Sequence, residues 1–200
     1  MRGVLRAINL AAKAALIGLL LYAVARPELP QFAGKAMEAR LFTFGSSTIV
    51  LPIVWLIIRP KRPYPHGIDL CIVLPFLMDT FGNTLDLYNS VAWFDDVMHF
   101  LTWIPWVVAF GLLLLTYAPP VPPWAVFGCV VGFGASTHIL WEFGEFFTFI
   151  RGGAEEDTAY RDTLGDLAMS LTGSVTGALI CAFIAASRTR LRTASRHLPA

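Results

Sequence analysis

The chain has 200 residues, of which 56% are hydrophobic and only 14% charged, with net charge +1 and mean hydropathy +0.63. Soluble domains carry about 25% charged residues, so this composition excludes a water-soluble globular protein. Near-neutral charge gives no electrostatic case for nucleic acid, and Cys71, Cys129 and Cys181 are odd in number, far apart and without zinc-type spacing, which excludes a disulfide framework.

About six spans are expected from length and hydropathy. The first covers about 4–25 and contains Lys13. Its basic start and the Ala23-Val24-Ala25 ending also fit a cleavable signal, but Lys13 and the polytopic remainder suit a retained helix better. A mixed-charge loop follows, then a second span over about 41–58 with Pro52 as a possible kink point. RPKRPYPHG, Arg59 to Gly67, is too proline-rich for a helix. The third span, about 68–88, is polar in its second half, and the fourth, about 91–117, is polar in its first turns. APPVPP, Ala118 to Pro123, is a stiff turn before the fifth span at about 124–150. After a solvated acidic loop the sixth runs over about 161–187. Residues 1–187 thus read as one all-α transmembrane bundle, and 188–200 as a basic, disordered cytoplasmic tail that meets anionic lipid head groups.

Loop cations set the orientation. Arg2, Arg6, Arg59, Lys61, Arg62, Arg188, Arg190, Arg192 and Arg196 fall on one side; Arg26, Lys35, Arg40, Arg151 and Arg161 fall on the other. The excess places both termini in the cytoplasm.

With that orientation the polar residues share a depth. Asp79, Asn83 and Asp86 on the third span, and His138, Glu142 and Glu145 on the fifth, are each spaced i, i+4, i+7. Asp95, Asp96 and His99 open the fourth span, and Asp162 and Asp166 the sixth, again at i, i+3 or i, i+4. Each set makes one helical stripe, and all lie toward the outer face. Taken singly, Asp162 with Asp166 reads as a helix cap, Asp95 with Asp96 as dipole partners and His138 as a core histidine. Glu142 and Glu145 in mid-span are harder to account for, because ionisable groups in a membrane are kept for ion, proton or catalytic work.

So many carboxylates repel one another at low dielectric unless protons or cations neutralise them. Helical bundles solve this with a divalent metal held by carboxylates and a carboxylate-x-x-His pair. The expected ligands are Asp96, His99, Glu142, Glu145 and Asp166, holding Zn, Mn, Mg or Fe. Asp95, His138 and Asp162 are the expected acid/base or supporting groups. Asp79, Asn83 and Asp86 form a further polar stripe. His66 and Asp69 lie at the opposite end, as loop and cap. Aromatic residues around the stripes, Trp93, Trp103, Trp106, Trp141, Phe143, Phe146, Phe147 and Phe149, read as an interfacial belt and core, or as a slot for an acyl or isoprenoid chain.

FDDVMH at Phe94–His99, WEFGE at Trp141–Glu145 and DTLGDL at Asp162–Leu167 resemble the YjdF-like family of bacterial inner-membrane proteins, over roughly the last two thirds of the chain. The resemblance implies a multi-pass inner-membrane helical bundle and supplies no reaction. The reading that follows is a metal-dependent hydrolase or transferase acting on a lipid-linked substrate at the outer leaflet. A proton- or cation-coupled transporter, or a structural membrane protein without chemistry, are the alternatives.

Overall fold

Pro52, Pro75 and Pro105 each stand inside a long helix, where proline has no N–H to give the carbonyl four residues before it. The computed structural model describes residues 2–58, 61–153 and 156–196, with the side chains of 2, 149 and 192–196 left aside. Among them the chain is all-helical: α1 Arg2–Ala25, α2 Met37–Ile58, α3 His66–Thr84, the short α4 Leu87–Ser90, α5 Phe94–Tyr117, α6 Pro123–Glu145 and α7 Ala159–Arg196. A π-helical turn, Phe146–Ile150, continues α6.

Five of these helices, α1, α2, α5, α6 and α7, are long and apolar enough to cross a membrane. The expected third span is not among them. α3 has 19 residues and carries two carboxylates, Asp69 paired with Lys13 of α1 and Asp79 with Arg40 of α2. It also stops at Thr84 rather than Tyr88, because Asp86 adopts a left-handed conformation (φ 59°) that turns the chain into α4. Aspartate tolerates that region better than most residues. At the far end, α7 runs on through Arg196 where a disordered tail was expected. Arg188–Arg196 contains no Gly or Pro, and Arg, Leu and Ala are good helix formers; residues 197–200 lie outside the described residues.

α5, α6 and α7 form the tightest part of the bundle, around Trp103, Val107, Val126, Val130 and Cys181. Glycine makes this possible: a Cβ at Gly173 would run into the carbonyl oxygen of Phe100, and one at Gly134 into Ser174. Small residues of this kind let membrane helices approach closely. A second core, Ala12, Leu16, Leu20, Phe44 and Val73, joins α1, α2 and α3. Trp141 packs against both cores and ties the two halves together.

The two ends of the bundle differ. At one end Arg62 and Arg188 donate to the carbonyls of Thr116 and Leu115, the last turn of α5, at 2.7 and 2.9 Å. Cations at a helix C-terminus satisfy free carbonyls and complement the dipole. At the other end lie the α1–α2 connection, α4 and the 146–158 connection, and here a cavity opens. The stripes expected to share a depth do gather at this end.

Candidate metal centre

His138 and Glu142, one turn apart on α6, are both buried. His138 Nε2 and Glu142 Oε1 stand 2.7 Å apart, yet neither atom makes a hydrogen bond. The approach is close but its angles are wrong for a shared hydrogen. Two buried polar atoms left in this way are expensive, and they converge as ligands do around a cation.

His99 on α5 faces them, its ring centroid 5.4 Å from that of His138. Its Nε2 lies 3.6 Å from Asp95 Oδ1 and 3.5 Å from Asp166 Oδ1. Its Nδ1 lies 3.2 Å from the hydroxyl of Ser170 on α7, and that hydroxyl donates to the His99 carbonyl at 3.4 Å. With the hydroxyl donating to that carbonyl, the Ser170 oxygen is free to accept from Nδ1–H, the tautomer that turns the Nε2 lone pair toward the carboxylates. A histidine held by its other nitrogen is the usual arrangement of a metal ligand.

Two overlapping groups result: His99, His138 and Glu142, and Asp95, His99 and Asp166, each with donor atoms within 4.8 Å of one another. Metal–ligand bonds of 2.0–2.1 Å put neighbouring donors about 3.0–3.4 Å apart in octahedral or tetrahedral sites. The pairwise separations of 2.7, 3.5 and 3.6 Å bracket that spacing. These buried His, Asp and Glu groups can hold a metal ion.

Trp103 walls the cluster. Its indole N–H donates to the Gly134 carbonyl at 3.2 Å, and its ring stacks on His99 and meets His138 edge-on at 4.6 Å. Beside it the cavity, about 640 Å³, is lined by Asp95, His99, Trp103, Glu145 and Asp162 on one side and Arg40 and Asp79 on another.

The other expected site residues take different places. Glu145 lines the cavity but is in neither donor group, and the π-helical turn begins directly after it. Such turns are frequent at functional sites. Asp96 is exposed next to Gly165 and in neither group, so the α5 carboxylate facing His99 is Asp95. Asp162 is exposed on the cavity wall. Asp79 is neutralised by Arg40 Nη1 at 2.6 Å and also accepts from Tyr88 at 2.8 Å and Asn83 at 3.3 Å. Burial raises the Tyr88 phenol above its ordinary value, keeping it a donor. Asp86 leaves the stripe altogether, since the turn at α4 directs it to Asn89 at 2.6 Å. Of the aromatic residues, Trp103, Trp106 and Trp141 face the cavity, whereas Trp93, Phe143 and Phe147 are exposed and the Phe149 side chain lies outside the described residues.

A model of the family described as predicted membrane protein (DUF2238) matches residues 8–187. The chain belongs to that family. It is the YjdF-like family, so the membership agrees with the motifs Phe94–His99, Trp141–Glu145 and Asp162–Leu167. No curated protein and no solved structure matches the chain.

The structure adds a second polar cluster at the opposite end, where Asp69 was expected as a helix cap. Asp69 is 0% exposed and sits 2.5 Å from Lys13 Nζ, with Asn9 and Tyr64 donating at 2.7 and 2.8 Å. Lys13 also donates to the Thr48 carbonyl at 2.7 Å. That carbonyl lies four residues before Pro52, which has no N–H to give it. The signal was available in the sequence: Asn9 and Lys13 make one stripe of α1, and Lys13 and Asp69 are opposite charges inside apolar helices.

Proposed function

We propose that this protein is a metal-dependent membrane enzyme, a hydrolase or transferase acting on a lipid-linked substrate at the outer leaflet of the bacterial inner membrane. The observation that carries the reading is the convergence of His138 Nε2 and Glu142 Oε1, buried and without hydrogen bonds, on a cluster that includes His99, Asp95 and Asp166. Two buried carboxylates, Glu142 and Asp166, with two buried imidazoles and the half-exposed Asp95 beside them, call for a cation. Two imidazoles with carboxylates suit Zn, Fe or Mn better than Mg.

His99, His138, Glu142 and Asp166 are the proposed ligands, with Asp95 completing the set or taking a proton. When bound, the metal would polarise a carbonyl or phosphoryl oxygen and lower the pKa of water. Glu145 and Asp162, on the cavity wall, are placed to exchange protons with a substrate there. Phe44, Phe76, Trp106 and Trp141 give the cavity an apolar side suited to a lipid chain.

Ser170→Ala tests the reading without touching a ligand. It should weaken zinc binding about 10- to 100-fold, the usual cost of losing the group that orients a ligand histidine. Zinc titration of the detergent-purified protein checks this, and unchanged affinity counts against His99 as a ligand. The leaflet has its own test. A cysteine replacing Asp157 should react with an impermeant thiol reagent from outside intact cells, and one replacing Arg188 should not. The reverse would move the site to the cytoplasmic face.

A transporter is the second reading, and one observation favours it. The buried Lys13–Asp69 pair puts ionisable groups at the far end of the bundle as well. Proton- or cation-coupled uptake by reconstituted vesicles, lost in Glu142→Gln, would favour that reading over an enzyme.

A further inference from the structure

Lys35 stands apart from the histidine–carboxylate cluster, and its setting is unusual. It lies in the α1–α2 connection between Gly34 and Ala36, both left-handed, with φ of 73° and 44°. For alanine that region is costly and persists only where the surroundings enforce it. Here they do. Phe32, 3% exposed, is packed against Ala23 and Met37. The Lys35 N–H donates to the Phe32 carbonyl at 3.2 Å, and Arg40 Nε donates to the Lys35 carbonyl at 3.1 Å. The turn thus fixes Lys35 at the cavity wall, its ammonium 5.4 Å from the centre of the Tyr88 ring.

That ammonium is buried and, among the described residues, makes no hydrogen bond. Arg40, the other cation here, already contacts Asp79, which Tyr88 and Asn83 also serve. Lys35 is therefore a cation that rests on the face of the Tyr88 ring and to which the described residues bring no hydrogen-bond acceptor, on the wall of a cavity that holds the candidate metal centre. Its depth says which acceptor fits. α1 ends at Ala25 and α2 begins at Met37, so Lys35 lies where spans give way to head groups. The anion every phospholipid bilayer offers at that depth is phosphate, for which a lysine is a common point-charge partner.

We propose that Lys35 anchors the phosphate of a phosphate-bearing amphiphile, whose chain lies along Phe44, Phe76, Trp106 and Trp141. This names the substrate class of the enzyme reading and rests on it for the phosphate being part of a substrate. Burial also pushes the Lys35 ammonium below the ordinary lysine value, against the opposing pull of Asp79, Asp86 and Asp95 and with the repulsion of Arg40. A folded-state value below the unfolded one means a stability cost present in full below the lowered value. The cost is relieved as pH rises through it toward the ordinary one. The turn thus holds at the cavity wall a cation whose burial costs stability, a cost that an anionic ligand would offset.

The test uses the full chain in detergent at neutral pH. Dihexanoyl phosphatidic acid and inorganic phosphate are titrated separately into wild type, Lys35→Met, Lys35→Arg and Glu142→Gln. Wild type should bind the lipid, and Lys35→Met should weaken binding at least about tenfold while melting no lower than wild type. Lys35→Arg should retain most of the affinity. Wild-type binding of inorganic phosphate as tight as that of the lipid supports the site with free phosphate as its source; much tighter lipid binding supports it with the head group as source. Equal affinity in Lys35→Met for whichever probe binds, or no binding of either by wild type, overturns it. Glu142→Gln separates the two claims, since it should lose metal and keep the Lys35-dependent phosphate. A metal-free wild type that still binds phosphate through Lys35 would retain this site and remove the enzyme reading.

Discussion

Lys13→Met should destabilise the protein by about 3–5 kcal/mol, the cost of leaving one member of a buried ion pair alone. Asp69 is fully buried and would keep Asn9 and Tyr64 as donors but lose its counter-charge. The Thr48 carbonyl would lose its partner at the same time, with Pro52 unable to replace it. Methionine matches the length of the lysine stem, so the packing of α1 on α3 stays nearly intact and the loss reports the charge. Lys13→Met combined with Asp69→Leu should recover most of the stability, because a buried pair replaced by apolar residues is often neutral or better. Unfolding in mixed micelles, followed by tryptophan fluorescence, checks both. A single variant as stable as wild type would show that water, not Lys13, compensates Asp69.

Glu142→Gln should have the largest effect on the candidate centre. The substitution keeps shape and removes one ligand charge, so metal affinity should fall about 100-fold or more, beyond the loss expected for a supporting group. With metal at 100 times its dissociation constant, wild type gains about 2.7 kcal/mol that the variant does not. In the presence of a strong chelator the order reverses. One fewer carboxylate beside His99, Asp95 and Asp166 relieves repulsion, and the variant should melt at or above wild type. Asp162→Asn, exposed at the cavity wall, should stay within about 0.5 kcal/mol of wild type in both conditions. Melting temperatures with and without metal check the crossing. Parallel curves for wild type and Glu142→Gln would make the cluster a structural network.

The gathering of polar stripes at one end was legible because helical spacing and the reversal of the chain between successive helices are both properties of local sequence. His138 with Glu142 and His99 with Asp95 follow from i, i+4 spacing alone. What spacing does not give is the phase of one helix against another, and that decided the rest. Asp95 and Asp96 are equally good sequence candidates, and only the packing of α5 on α7 chooses which faces His99 and Asp166. Arg40 reads as a loop cation until α2 is found to begin at Met37, which brings it to Asp79, 39 residues away. Ser170 and Lys35 have no local signature. One matters through a contact 71 residues distant, the other through a strained turn. Asp86 departs from the i, i+4, i+7 stripe for a local reason: its left-handed conformation ends the helix before it.

The histidine–carboxylate cluster is proposed to hold a divalent metal. Elemental analysis of wild-type protein, purified in detergent from cells grown with Zn, Mn and Fe available, tests it most directly. About one transition metal ion per chain is expected, as for a mononuclear histidine–carboxylate site, with a large loss in Glu142→Gln. Metal-free wild type that gains neither metal nor thermal stability on titration with any of the three would contradict it.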